Sequence, residues 1–300
     1  GILGLFCTRD RVVLIGTEPF RFMTLALNYL KRRHRCVYHT SWPWSENTLD
    51  GPCGVPAGAS LWRRFLQGTV SVSFTPDGAE GLARYGARAF FIPHTVDCEV
   101  FRPAPDRAPA ERVNVLFVGH LNKVKGVDVL IRAIRCGGWT NCLFSFLGKG
   151  PLEPDVRQAE KEGHPVRYLG LIRDREKLAA VYREADMLVL PSVRIGLEEE
   201  RFGMVLIEAM ASGVPVIASD CLGPRQIVRP GETGILVPQN DAAALGEAIR
   251  LLAGSPERRR LLGQNGRREA EQKYDKRKVA RRWLEVIQRA AGEGPARDGK

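Results

Sequence analysis

The chain has 300 residues, 44% hydrophobic and 26% charged, with a formal net charge of +11. That is roughly two domains' worth at ~150 residues each, with enough apolar material for real cores. It excludes a disordered tail, a collagen-like fibre and a disulfide-stapled mini-protein, while the charge suits an anionic partner: nucleic acid, an anionic membrane face or a phosphorylated small molecule.

Residue 1 is Gly, and no signal-peptide pattern follows it, so a leader has been removed or an N-terminal piece is missing. No apolar run approaches the ~20 residues of a membrane span. Cysteines stand at 7, 36, 53, 98, 136, 142 and 221, without C-x-x-C or zinc spacing. All are expected to be free thiols in a reducing cytosol.

From the N-terminus, strand-like runs fall at 12–15, 36–39, 70–74, 89–92, 113–118, 142–147, 166–169, 186–190, 214–218 and 234–237. Helical patterns include 20–33, 127–135, 175–184, 242–253, 256–272 and 276–289. This alternation predicts α/β architecture with parallel sheets covered on both faces. The strand runs are continuously apolar rather than alternating, as burial on two sides requires. Three prolines in the stretch 101–110 cannot lie inside a helix or a central strand. The domain boundary is placed there, giving 1–104, 105–275 and a last helical segment, 276–300. Residues 292–300 are expected to fray.

Three stretches carry chemistry. In VLFVGHLNKVKG, residues 115–126, a buried strand ends at Gly119 and a helix starts near Gly126. Helix N-termini are anion sites, and strand ends at a sheet's switch point are where ligands bind. Lys125 there opposes the helix dipole. A bound diphosphate removes the conflict; a solvated surface Lys is the other reading. In LGKGPL, residues 147–152, Gly148 and Gly150 permit either a plain strand-to-helix turn or a backbone set close to a ligand. The third stretch, 190–215, holds Glu198, Glu199 and Glu200, then Phe202–Gly203, then a helix to about Ser212. Glu200 and Glu208 can flank one crevice with a helix N-terminus between them. Carboxylates there accept hydrogen bonds from sugar hydroxyls, and the N–H groups of Phe202–Val205 face negative charge.

The run from Val115 to Val237 resembles the donor-binding domain of the family 4 glycosyltransferases, of group 1 type. The matching stretches are VGHLNKVKGVDVLIRAI, LGKGPL, YLGLI, ADMLVLPS, EERFGMVLIEAMASGVPVIAS and PGETGILVP. FIPHTVDCEVFRP is similar to the family's interdomain stretch, and VYHTSWP to a His-Thr segment of its N-terminal domain.

The resemblance implies a GT-B fold, two Rossmann-like doubly wound parallel-sheet domains facing a cleft, with 276–300 packing back on the first. It implies a retaining, metal-independent glycosyltransferase that moves a sugar from a UDP-, GDP- or ADP-sugar to an acceptor hydroxyl, without a cofactor. Glu200 would contact the donor sugar's hydroxyls and Glu208 the ribose. Lys125 and His120 would hold the diphosphate. Backbone of Gly148, Phe202, Gly203, Met204 and Val205 would meet sugar and phosphates, and backbone of Ile172 the base. His39 would face the reaction centre; an ordinary polar residue at a strand end is its other reading. The family usually carries Arg where His120 stands, so one imidazole donor replaces a guanidinium fork. The strand, Gly-rich loop and helix that open the family's N-terminal domain are not found, so that domain is expected to be incomplete. This motivates the alternative of a catalytically impaired nucleotide-sugar binding or scaffold protein.

The expected partners are the donor and a glycan, lipid or small-molecule acceptor; the basic runs at 31–35, 63–64, 258–260 and 276–282 read either as solvated helix faces or as a contact with an anionic membrane surface. The location would be the cytoplasm, peripheral on the inner membrane face. Nucleic acid is not expected, because the chain lacks a basic-aromatic stacking pattern and a helix-turn-helix signature. The stretch 39–58, with Trp42 and Trp44, would either stack on a sugar or form a packed loop.

Overall fold

A computed structural model describes residues 8–17, 23–42, 44, 59–104, 111–196 and 198–292. Cys7, Cys53, the start of the 20–33 helix, most of the 39–58 stretch, part of the proline-rich segment and residues 293–300 lie outside the described residues. The five described cysteines are free, and all but Cys136 are buried.

The chain divides into two compact units, Gly1–His94 with Arg277–Lys300, and Thr95–Lys276. The proline-rich stretch therefore begins inside the second unit rather than between the two. Phe101 explains the difference: it is 1% exposed and packs edge-on against Tyr182, with centroids 5.7 Å apart. The apolar residues ahead of the prolines belong to the second core.

The first unit holds β1 (Val12–Gly16), β2 (Arg35–Thr40), β3 (Val70–Ser73) and β4 (Arg88–Phe91), all parallel, in the order β1-β2-β3-β4. One sheet face packs Val13, Ile15, Tyr38, Trp44, Trp62 and Phe65. The other packs Val37, Val70, Val72 and Ile92 with Val279 and Val286 of the helix Lys276–Ala291. That helix earns its place by spacing: Val279 and Val286 lie two turns apart on one stripe. Expected burial on both sides fails at β1. Its pattern alternates: Val12 still packs against the second core, but Leu14 is 50% exposed on that face among the described residues.

The second unit holds β5 (Val113–Val118), β6 (Cys142–Leu147), β7 (Val166–Gly170), β8 (Met187–Leu190), β9 (Val216–Ser219) and β10 (Gly234–Val237). Their order is β10-β9-β8-β5-β6-β7, again parallel. Here the two-sided burial holds. Val115 and Phe117 enter one core while Leu116 and Val118 enter the other. Each such side chain contributes roughly 1.5–3 kcal/mol of burial. Winding reverses between β5 and β8, so their C-terminal ends form the switch point. The helices after β7 and β10 start where Asp174 and Asp241 cap them.

The helical pattern 256–272 is α-helical only over Pro256–Glu269 and then widens into a π-helical turn, Ala270–Tyr274. Buried Glu269 anchors the transition, paired with Arg229 at 3.1 Å and Lys273 at 2.6 Å. Tyr274 is thereby turned inward, and its carbonyl accepts from Val96 N at 2.9 Å.

Several basic residues prove to be helix caps. Lys31 Nζ donates to the carbonyls of Arg64, Phe65 and Gln67, and Arg259 donates to those of Leu252 and Ala253. Arg277, Lys278 and Arg281 stay exposed. No helix among the described residues is long and apolar enough to cross a membrane.

Candidate active site

The switch point of the six-stranded sheet is built largely from backbone. After β6, Gly148 sits at φ +145°, where a Cβ would lie 1.8 Å from the Gly119 carbonyl oxygen. The loops following β5 and β6 therefore touch main chain to main chain. After β5, Gly126 sits at φ +68°, and a Cβ there would lie 1.8 Å from the Pro191 carbonyl oxygen. Val193 N donates to Val124 O at 2.8 Å, so the loops after β5 and β8 are also joined.

On that base Lys125 is fixed at both ends. Its N–H donates to Asn122 Oδ1 at 2.9 Å, and its ammonium pairs with Glu200 Oε2. The Lys125 side chain is 30% exposed and that of Glu200 10%. The conflict between Lys125 and the helix dipole is thus relieved within the chain by Glu200. The three neighbouring acids separate. Glu199 accepts from Leu222 N at 2.8 Å and serves the start of the helix Leu222–Ile227; Glu198 bridges back to Ile195.

Three residues on from Glu200, Gly203 begins the helix Met204–Ala211 at φ +104°, with no side-chain cap. Leu206 N already donates to the Gly203 carbonyl at 2.9 Å, so the N–H groups of Met204 and Val205 are the ones left for an anion or water. Phe202 sits edge-on to Tyr274 at 6.2 Å, and Met204 is 40% exposed. One turn further, Glu208 Oε2 accepts from the Tyr182 hydroxyl at 2.9 Å. Burial raises the Glu208 carboxyl above its usual range, with Tyr182 and Arg175 opposing. Burial, then Glu208, lifts the Tyr182 phenol well above its ordinary value. Sequence reasoning missed Tyr182. Its one local signal is the helical run 175–184, whose apolar face gives no sign that a phenol meets a carboxylate.

Beside this lies a cleft of about 330 Å³ lined by His120, Gly148, Ile172 and Leu178 among others. Three predicted donor residues are thereby brought together.

His39 belongs to the first unit. It pairs in register with Gly16 and Val72 and lines a cleft of about 240 Å³ with Thr17, Thr40, Ser41 and Phe74. A Cβ on Gly16 would stand 2.5 Å from its ring atoms Cε1 and Nε2. The ring meets Phe74 and Trp283 edge-on at 6.0 and 5.8 Å, and Phe74 stacks on His94 at 4.1 Å. Burial lowers the pKa of both His39 and His94, which favours neutral imidazoles. Trp44 is 2% exposed among Tyr38, Trp62 and Tyr85, so its ring forms core and offers no face to a sugar. No group of three or more His, Cys, Asp or Glu that could hold a metal occurs among the described residues.

Two parallel-sheet α/β units, the second with backbone amides, a lysine and carboxylates around its switch point, have the architecture of the GT-B glycosyltransferases. The family described as Glycosyl transferases group 1 matches residues 103–269, more than half the chain, and the chain belongs to it. It is 34% identical over 241 residues to a phosphatidyl-myo-inositol mannosyltransferase of Mycobacterium leprae, covering 78% of this chain and 62% of the relative. It is 32% identical to a D-inositol 3-phosphate glycosyltransferase of Kineococcus radiotolerans, covering 71% and 54% respectively. The chain thus spans 62% and 54% of the length of these curated relatives. Among solved structures, sucrose-phosphate synthase of Thermosynechococcus elongatus superposes with a TM-score of 0.72 at 25% identity, covering 93% of this chain and 73% of that one. HepE of Anabaena, solved with UDP, gives 0.74 at 18% identity, covering 96% and 80%, a likeness of fold.

Proposed function

We propose that this chain transfers a sugar from a nucleotide diphospho-sugar to an acceptor hydroxyl, with retention at the anomeric carbon, in glycolipid or cell-surface glycan synthesis. The observation that carries the reading is the Lys125–Glu200 pair beside the uncapped start of the helix Met204–Ala211, at the switch point of the sheet. The relatives named as inositol-lipid and inositol-phosphate glycosyltransferases support it.

In this reading the diphosphate meets Lys125, His120 and the N–H groups of Phe202–Val205. As the glycosidic bond breaks, negative charge grows on the leaving diphosphate, and preorganised N–H dipoles and an ammonium stabilise it. Glu200, released from Lys125, accepts hydrogen bonds from the sugar's hydroxyls, and Glu208 from the ribose. The acceptor hydroxyl attacks the face the leaving group vacates, and its proton passes to the departing diphosphate. The neutral imidazole of His39 suits an uncharged hydroxyl partner. The reading extends to a cytoplasmic enzyme that touches anionic lipid through Arg277, Lys278 and Arg281. Equal pelleting with neutral and anionic liposomes would count against that contact.

The test is thermal stabilisation by UDP, GDP, ADP and CMP. Ligand at ~100 times its dissociation constant adds ~2.7 kcal/mol. A charge-assisted hydrogen bond is worth ~1.5–3 kcal/mol, so Lys125→Ala is expected to weaken diphosphate binding roughly 10–100-fold. Absence of a shift with every nucleotide sinks the reading.

A further inference from the structure

The second carboxylate of the site is held from behind. Glu208 lies one turn into the helix Met204–Ala211 and is partly buried. The helix Arg175–Arg183 faces it with two groups. Tyr182 Oη donates to Glu208 Oε2 at 2.9 Å, and the positive charge of Arg175 favours the ionised carboxylate. Arg175 and Tyr182 stand two turns apart on one stripe of that helix, with the fully buried Ala179 between them. Phe101 packs against both: the guanidinium lies 5.8 Å from its ring centroid, and the Tyr182 ring meets it edge-on at 5.7 Å.

Packing accounts for the Tyr182 ring but not for its hydroxyl. The ring is fully buried, and a phenylalanine would fill the same space. The hydroxyl is spent on Glu208. That bond gives folding little that two apolar side chains would not, since replacing both partners of a buried hydrogen bond by apolar groups of the same shape is close to neutral. What the bond does is divide the carboxylate. Oε2 is tied to the core, while Oε1 accepts no hydrogen bond among the described residues and is not sealed from solvent. One oxygen is anchored and the other is presented.

An unheld glutamate must be ordered when a ligand arrives, and that ordering weakens binding. A carboxylate already anchored by a phenol has lost that freedom on folding. Its free oxygen can only accept, so it favours a ligand that brings a hydroxyl to it. We infer that Tyr182 is a positioning residue of the donor site: it does not touch the nucleotide, and it acts through Glu208 to make the site prefer a ribose to a sugar that lacks those hydroxyls. The inference rests on the nucleotide-sugar reading above and adds to it the residue that sets the ribose contact.

Isothermal titration of the whole chain with UDP, GDP and ADP, and with the 2′,3′-dideoxy form of each, tests it. The nucleotide that binds tightest is expected to lose about tenfold or more in affinity with its two hydroxyls, the worth of a charge-assisted hydrogen bond. In Tyr182→Phe that ratio is expected to narrow about threefold or more, through weaker binding of the ribonucleotide alone. Because the ratio is taken within one variant, any unfolded fraction cancels from it. In a Glu208→Ala background, adding Tyr182→Phe is expected to leave the ratio where Glu208→Ala puts it. A ratio in Tyr182→Phe equal to the parent's would overturn the inference and leave the donor reading standing. So would an equal narrowing with Glu208 already removed, or a parent chain indifferent to the two hydroxyls. If no diphosphate binds the parent chain, the donor reading and this inference fall together.

Discussion

The two units both wrap helices around parallel sheets and build their clefts from different materials. In the second unit the site is main chain held against main chain, with Gly148 on Gly119 and Gly126 on Pro191, and the charged side chains are hung on that frame. In the first unit the cleft is side chain against side chain, with His39 between Phe74 and Trp283. Backbone contacts have almost no room to adjust. Rings can turn. The same insult, one methyl group, should therefore have unequal effects in the two places.

Gly148→Ala breaks or sharpens this contrast most. Its methyl would meet a carbonyl oxygen at a φ that L-residues avoid, so a loss of about 2–4 kcal/mol is expected in urea unfolding of the second unit. A loss below about 1 kcal/mol would mean that the loops part freely and the frame is not rigid. Next comes Tyr182→Phe, which leaves the buried Glu208 carboxylate without its hydroxyl donor. About 1–3 kcal/mol should be lost, and because the partner is ionisable the loss should shrink as pH falls and Glu208 protonates. Gly16→Ala should cost about 1 kcal/mol or less, because the obstacle is the end of a side chain that can rotate. Its signature is instead a changed ring-current shift of the His39 Hε1 proton. An unmoved shift with a large stability loss would reverse the contrast.

The smallest effect is a pH slope. Burial holds His39 and His94 below the ordinary imidazole value. The unfolded chain takes up those protons near pH ~6.5 while the folded chain does not, so stability rises with pH through the window just below ~6.5. The double variant His39→Gln, His94→Gln should flatten that part of the stability profile relative to the parent chain.

Much of this was legible in the sequence where one residue type has one use. All ten strands among the described residues lie where the apolar runs put them, because runs such as 113–118 must feed two cores at once. The glycines of the donor stretch were legible as turns. The contacts that make them obligatory were not, since the oxygens they approach belong to other loops. Lys125 and Glu200 each stood out, but 75 residues separate them and no spacing rule joins them. Tyr182, Trp283 and the inward turn of Tyr274 were illegible for the same reason: their partners are set by packing, not by period. The unit boundary was misjudged because proline marks where regular structure stops, while the apolar contacts of Phe101 decide which core a residue joins.

The Lys125–Glu200 pair has one more consequence. A carboxylate tethered beside the ammonium acts as a built-in competitor, present at an effective concentration of millimolar order or above. Any anion that enters must outbid it. A lone point charge such as chloride has only one attachment to offer in exchange. A ligand that also reaches the helix amides and offers hydroxyls to the freed carboxylate replaces every bond it breaks. The pair is therefore self-neutralised within the chain, and whatever takes its place has to replace the bond it breaks.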